Sequence, residues 1–164
     1  MTTKTDYSDE EWQLLIDVPT LSGLAVMMSG KSGLGTMKEA ISLTQGILDG
    51  AKEYPNVELI GAIVDARLKG GEKSSAETFA NNPYQGLGIE KFMTTVSEKC
   101  RAASELLARK ATPEEASAFR AWVLSIADDV SKAAREGGFL GFGGTQVSVE
   151  EVEAIDRIKS ALAA

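Results

Sequence analysis

The chain has 164 residues, 43% of them hydrophobic and 25% charged, with a net charge of −7. That size supports one helical domain, 1–164, with a core that needs no staples. A pI near 4.7 argues against nucleic acid as a partner, because phosphate neutralisation needs clustered Lys and Arg.

The first ten residues are polar and turn acidic, with no positive region leading into an apolar one. They carry no secretory signal pattern. The lone Cys100 has no internal disulfide partner, and both features point to the cytoplasm. Residues 21–28 form an apolar run interrupted by Ser22 and Gly23, too short for a transmembrane segment.

In chain order, Ser8-Asp9-Glu10-Glu11 is a capping box, in which the Ser8 hydroxyl and the Glu11 carboxylate each satisfy an orphan backbone donor. It opens a helix with Trp12, Leu15 and Ile16 on one face, which Pro19 stops or kinks. Residues 21–28 then resume as a short helix, apolar nearly all round. Gly23 and Ala25 permit close packing there, the pattern of a buried central helix.

A glycine loop follows, Gly30-Lys31-Ser32-Gly33-Leu34-Gly35. Thr36-Met37-Lys38-Glu39 boxes the next helix, with Met37, Ala40, Ile41, Ile47 and Leu48 on its inner side, and Tyr54-Pro55 ends it. Asn56 is placed to cap a helix carrying Ile60, Ile63, Val64 and Leu68, closed by Gly70-Gly71. The connection 70–88 is irregular, with a possible helical turn at 75–80, and its length makes it a candidate for mobility or binding.

Phe92, Val96, Cys100, Ala103 and Leu107 form the inner stripe of a helix over 89–109. Cys100 on that stripe reads as a small buried hydrophobe. Thr112-Pro113-Glu114-Glu115 is another box, with Pro at the first helical position. Its helix carries Ala116, Phe119, Val123, Ile126, Val130 and Ala133. Ser148-Val149-Glu150-Glu151 boxes the last helix, with Val152, Ile155, Ile158 and Leu162 at helical spacing. No alternating strand pattern occurs. The expected fold is all-α, a compact bundle of about seven helices, with Trp12 and Trp122 in its core.

Between the last two helices lies Gly137-Gly138-Phe139-Leu140-Gly141-Phe142-Gly143-Gly144, whose glycines mark backbone that bends or is closely approached. Its three apolar side chains either fold back to close the end of the core or stay exposed as a partner patch. The order of helix, glycine turn and boxed helix occurs twice, at 29–41 and 133–155, as two possible pseudo-repeated units.

Ala133-Ala134-Arg135-Glu136-Gly137 leading to Ser148-Val149-Glu150-Glu151-Val152-Glu153-Ala154-Ile155, and more loosely 29–41, resembles the repeated unit of the TerB-like tellurite-resistance proteins. The likeness covers about a third of the chain. It implies a compact all-helical bundle, a part in tellurite and general stress response, and divalent-cation binding. The Ala-Asp-Gly of such units is here Arg135-Glu136-Gly137 in one stretch and Ser29-Gly30 in the other, so the Asp is lost.

The chemistry open to the chain is narrow. Gly30-Lys31-Ser32 is no phosphate loop, because position 25 is Ala25 and the preceding element is helical. Gly33 and Gly35 precede a helix N-terminus that could hold an anion, though Glu39 opposes it. With no histidine and one cysteine, zinc, copper and iron–sulfur sites are set aside, which leaves oxygen ligation of Ca²⁺ or Mg²⁺. Glu136 closes one helix, and Glu150 and Glu151 open the next and could meet it across the glycine run. Glu39 joins them if the two halves pack symmetrically. The alternative is that Glu150 and Glu151 simply serve the cap and the helix dipole. Asp128-Asp129 reads as a solvated face.

No catalytic constellation is visible, since a Ser or Cys nucleophile would lack a histidine base. The expectation is a non-enzymatic TerB-like module that binds a divalent cation through carboxylates. The alternative is a protein-interaction or scaffold domain using the loop 137–147. The identity of any protein partner and the oligomeric state are left open.

Overall fold

The computed structural model describes residues 1–30, 37–69, 86–136 and 148–164, without the side chains of 37–40 and 134–136. The described residues are all-helical. A 3₁₀ turn at Lys4–Asp6 precedes α1 (Asp9–Ser29), α2 (Met37–Glu53), α3 (Glu58–Lys69), α4 (Ile89–Lys110), α5 (Pro113–Glu136) and α6 (Val149–Leu162). The Thr36 box, most of the first glycine loop, residues 70–85 and the run 137–147 with Phe139, Leu140 and Phe142 lie outside the described residues.

There are six α-helices among these residues, not seven. The difference lies at Pro19, which neither stops nor splits α1. Its missing N–H leaves the Leu15 carbonyl without the usual helical bond, a cost of about 3 kcal/mol. Against this, every residue from 18 to 27 is buried, and large side chains such as Leu21, Leu24 and Met27 each return about 1.5–3 kcal/mol on burial. Packing outweighs the local defect, so the apolar run 21–28 is central but belongs to one long helix.

All five other helices touch α1. It runs antiparallel to α4, as the contacts Ser22–Cys100 and Glu11–Lys110 show. Likewise α2 is antiparallel to α5, with Ser42 Oγ donating to Asp129 O and Trp122 Nε1 donating to Gly46 O. The core is one cluster that includes Trp12, Leu15, Ile47, Ile63, Phe92, Phe119, Trp122, Ile126 and Ile158. Cys100 is fully buried in it. Burial pushes its thiol up to about 11, against a smaller downward pull from Ser22, which is the state of an inert thiol.

The boxes at Ser8, Thr112 and Ser148 form as their sequences predict. In each, the Ser or Thr oxygen accepts from the N–H of the Glu three residues on at 3.2 Å. That Glu in turn accepts the cap residue's own N–H at 2.8–3.0 Å. Asn56, in contrast, does not begin α3, because the Ile60 and Gly61 N–H groups donate to Val57 O.

Three expected inner residues, Ile41, Leu68 and Val152, are exposed. Each sits at helical spacing on the flank of its helix's apolar stripe, where half or nearly half of its surface stays open. Leu43, Leu59 and Ala154 take the inner positions instead.

Candidate functional site

A furrow runs along the outside of the seam between α4 and α6. These two helices run the same way, with Ser104 Oγ donating to Leu162 O near their C-terminal ends and α5 returning the chain between them. Both are amphipathic, and each places a polar stripe beside the seam. On α4 it is Thr94, Ser97, Glu98 and Arg101; on α6 it is Glu153, Asp156, Arg157 and Ser160. Each set is spaced i, i+3, i+4, i+7, which is one helical face.

The furrow has two compartments. The wider is an open groove of about 680 Å³ lined by those stripes and Ala161. The narrower, of about 140 Å³, lies towards the N-terminal ends of both helices, where Met28, Ile89, Met93 and Ala154 supply apolar surface beside Ser29, Glu90 and Glu150. Glu153 and Arg157 line both. Arg157 Nη1 donates to Glu90 Oε2 at 3.0 Å, an ion pair that spans the seam. Glu90 is 80% exposed, so this pair contributes little to stability.

Five carboxylates (Glu90, Glu98, Glu150, Glu153 and Asp156) face two guanidinium groups (Arg101 and Arg157) along the furrow. Among the described residues Arg101 forms no ion pair, and neither do Glu98, Glu153 and Asp156. The hydroxyl of Ser97 is buried without a hydrogen-bond partner. Its helical neighbours Thr94 and Thr95 bond the carbonyls of Glu90 and Lys91, the ordinary use of a hydroxyl within a helix.

The four carboxylates expected from sequence have separate fates. Glu150 is exposed and lines the narrow compartment. Glu151 is only 5% exposed: its Oε2 accepts the Ser148 N–H at 3.0 Å, and its Oε1 lies 3.1 Å from where a Cβ on Gly30 would sit. It therefore serves the cap and packs against the backbone at the end of α1. The backbone of Glu39 and Glu136 lies in α2 and α5, with side chains outside the described residues. Among the described residues no group of three or more His, Cys, Asp or Glu is arranged to hold a metal ion.

Asp128 and Asp129 are solvated, as expected, and share Lys132 at 2.6 and 3.6 Å. A second groove, of about 260 Å³ between α2 and α5, contains Asp49, Glu53 and Asp129 with Lys132. Ser42, Gln45 and Ser125 complete its polar lining.

Sequence reasoning did not reach Ser97, Arg101, Arg157 and Ser160. The signal was present as two polar stripes at identical spacing, but a polar stripe on an amphipathic helix is ordinarily a solvated face. Only the pairing of α4 with α6 turns two such faces into one furrow.

No match to this chain comes from protein-family models, curated proteins or solved structures. Among the described residues no helix is long and apolar enough to cross a membrane.

Proposed function

We propose that the protein is a helical interaction module whose α4–α6 furrow takes a basic amphipathic helix from a protein partner. The observation that carries this reading is the lining: five carboxylates against two guanidinium groups along the walls, with Met28, Ile89, Met93 and Ala154 at one end. Side chains from Ile89 to Arg101 span about 18 Å of α4, the length of a helical segment of about twelve residues. Helix-in-groove recognition needs an apolar anchor pocket and flanking charges of opposite sign, and methionines adapt to varied apolar anchors. The acidic lining would also draw a basic partner in by long-range attraction.

A cytoplasmic setting fits this reading, with a single reduced cysteine. The pseudo-repeat enters it through the second unit, whose boxed helix is α6. This reading takes up the alternative of a protein-interaction domain but places the contact surface in the furrow and not in the loop 137–147.

The test is a pair of helical peptides of about twelve residues, one built on Lys and Leu and one on Glu and Leu. The Lys/Leu peptide should bind, more weakly as salt rises, and the double variant Glu153→Lys/Asp156→Lys should weaken it by about tenfold or more. Equal binding of the two peptides, or no effect of the double variant, rejects the furrow. Both substituted residues are exposed, so folding is not at stake.

The divalent-cation reading is a separate proposal, resting on the TerB-like resemblance and the acidic first turn of α6. Calorimetric titration with Ca²⁺ and Mg²⁺ tests it. Heat with a rise in melting temperature supports it, and neither at millimolar metal removes it.

A further inference from the structure

We infer that the Met1–Thr2 peptide bond is a processing site, and that Glu115 is the receptor for the α-ammonium that its hydrolysis leaves on Thr2. This inference does not depend on the furrow.

The carboxylate of Glu115 is the starting point. It lies in the first turn of α5 and is buried, and its hydrogen-bond partners are all neutral. Its Oε2 accepts the Thr112 N–H at 3.0 Å. Its Oε1 accepts the Thr2 N–H at 2.7 Å and the Thr2 hydroxyl at 3.2 Å. Among the described residues no Lys or Arg pairs with it. Neutral donors offset only part of the cost of burying a carboxylate, and a cation in contact offsets more.

The nitrogen facing Oε1 is one bond cleavage away from being that cation. Water adds to the Met1 carbonyl carbon and the C–N bond to Thr2 breaks. The water oxygen leaves on methionine as part of a carboxylate, and both water protons pass to Thr2 N. An amide N–H at 2.7 Å thereby becomes an ammonium in the same place, and charge-assisted bonds are about twice as strong as neutral ones. Met1 is 68% exposed, so its loss gives up little packing and opens the remaining ammonium protons to water. Thr2 has the small side chain ahead of which methionine-removing aminopeptidases cleave. Thr2 and Glu115 are 113 residues apart in sequence, so the bond is open to such an enzyme until α5 has folded.

The surrounding charges leave Glu115 as the natural partner. Asp6 is engaged by the Thr3 N–H and hydroxyl, and Glu11 by Lys110 and the Ser8 N–H. Lys110 also donates to Asp6 O and lies over the Tyr7 ring, while the Tyr7 phenol donates to the Thr2 hydroxyl. An ammonium on Thr2 therefore fixes the first residues of the chain to the start of α5, and capture of a free N-terminal amine is a known mode of recognition.

Three forms of the chain test this: one keeping Met1, one beginning at Thr2, and one beginning at N-acetylated Thr2. NMR titration should show the Thr2 amine holding its proton about tenfold more tightly than an ordinary α-amine of pKa about 7.7–8.0, and Glu115→Gln should return it to that range. An ordinary pKa, or a raised one that survives Glu115→Gln, overturns the receptor. In urea at pH 7 the Thr2 form should have a folding equilibrium constant about fivefold above the other two. Because the amine's folded-state pKa is raised, that gain is present below about pH 8 and lost as pH rises through the folded value. Acetylation keeps an N–H and removes the charge, so equal stability of the three forms overturns the ion pair even where Glu115→Gln does not fold. The intact mass of the chain produced together with a methionine aminopeptidase should lack Met1, and retention of Met1 overturns the processing site.

Discussion

Gly50→Ala should lower stability by about 3 kcal/mol, although alanine in a helix interior normally gains about 1 kcal/mol over glycine. A Cβ at Gly50 would lie 1.8 Å from Trp122 Nε1, 2.4 Å from its Cδ1 and 2.5 Å from its Cε2. These are atoms of a rigid ring that is fully buried and held by its N–H bond to Gly46 O at 3.2 Å. Relief requires moving the indole or parting α2 from α5, and overpacking of this kind costs about 1–3 kcal/mol or more. The lost indole hydrogen bond adds about 1 kcal/mol or more, because its buried donor is left unsatisfied.

Three other helical glycines make the series diagnostic. At Gly23 the added Cβ meets Leu43 Cδ1 at 2.3 Å, the end of a flexible side chain, so Gly23→Ala should lose about 1 kcal/mol. At Gly46 the nearest atoms belong to Ile126, from 3.4 Å outward, and the change should be near neutral. At Gly61 nothing lies within 4 Å, so Gly61→Ala should gain about 0.5–1 kcal/mol. Urea unfolding of the four variants reads the order directly. In thermal unfolding the Gly50 variant should melt about 10 °C lower. A Gly50→Ala protein as stable as the parent would mean that the α2–α5 seam is not this tight.

That series also marks where sequence reasoning stops. Gly46 and Gly50 sit four apart in the middle of a helical pattern, a visible signal of close approach, but what approaches is Trp122, more than seventy residues away. The boxes at Ser8, Thr112 and Ser148 were legible because each closes its hydrogen bonds within four residues. The burial of Cys100, Trp12 and Trp122 was legible because each lies on an apolar stripe. Pro19 misled because its cost is local, whereas the burial that offsets it comes from five other helices. Ile41, Leu68 and Val152 misled because a stripe's edge is covered or left open by its neighbours' position. The furrow was not legible for the same reason, since its two walls are 52 or more residues apart in sequence.

Glu115→Ala should cost about 2–3 kcal/mol at neutral pH, and that cost should shrink on acidification. Glu115 is 2% exposed and does more than complete its box. While Oε2 accepts the Thr112 N–H at 3.0 Å, Oε1 accepts the Thr2 N–H at 2.7 Å and the Thr2 hydroxyl at 3.2 Å. The Thr2 hydroxyl in turn accepts from the Tyr7 phenol at 3.1 Å. Lys110 secures the same segment by donating to Asp6 O at 3.0 Å and to Glu11 Oε2 at 2.6 Å, with its ammonium over the Tyr7 ring. One carboxylate thus caps α5 and straps residues 2–7 across the corner between α4 and α5.

Burial alone would raise the pKa of Glu115, but the N–H groups of Thr112 and Thr2 and the Thr2 hydroxyl outweigh it and hold the carboxyl below its ordinary value of 4.5. A carboxyl with a lowered folded-state pKa binds protons more weakly folded than unfolded. Its contribution is therefore complete above about pH 4.5 and is lost as pH falls through the lower folded value. Glu11, held down by Lys110 and the Ser8 N–H, and Asp6, held down by the Thr3 N–H, shift in the same direction, so the strap should loosen in acid as a unit. Unfolding free energies of the parent and of Glu115→Ala, measured from pH 7 downward, should converge below pH 4.5. Glu115→Gln should abolish this part of the acid dependence, because an amide keeps the shape without titrating. A difference between parent and Glu115→Ala that is unchanged across that range would show that the carboxylate's charge does not hold the strap.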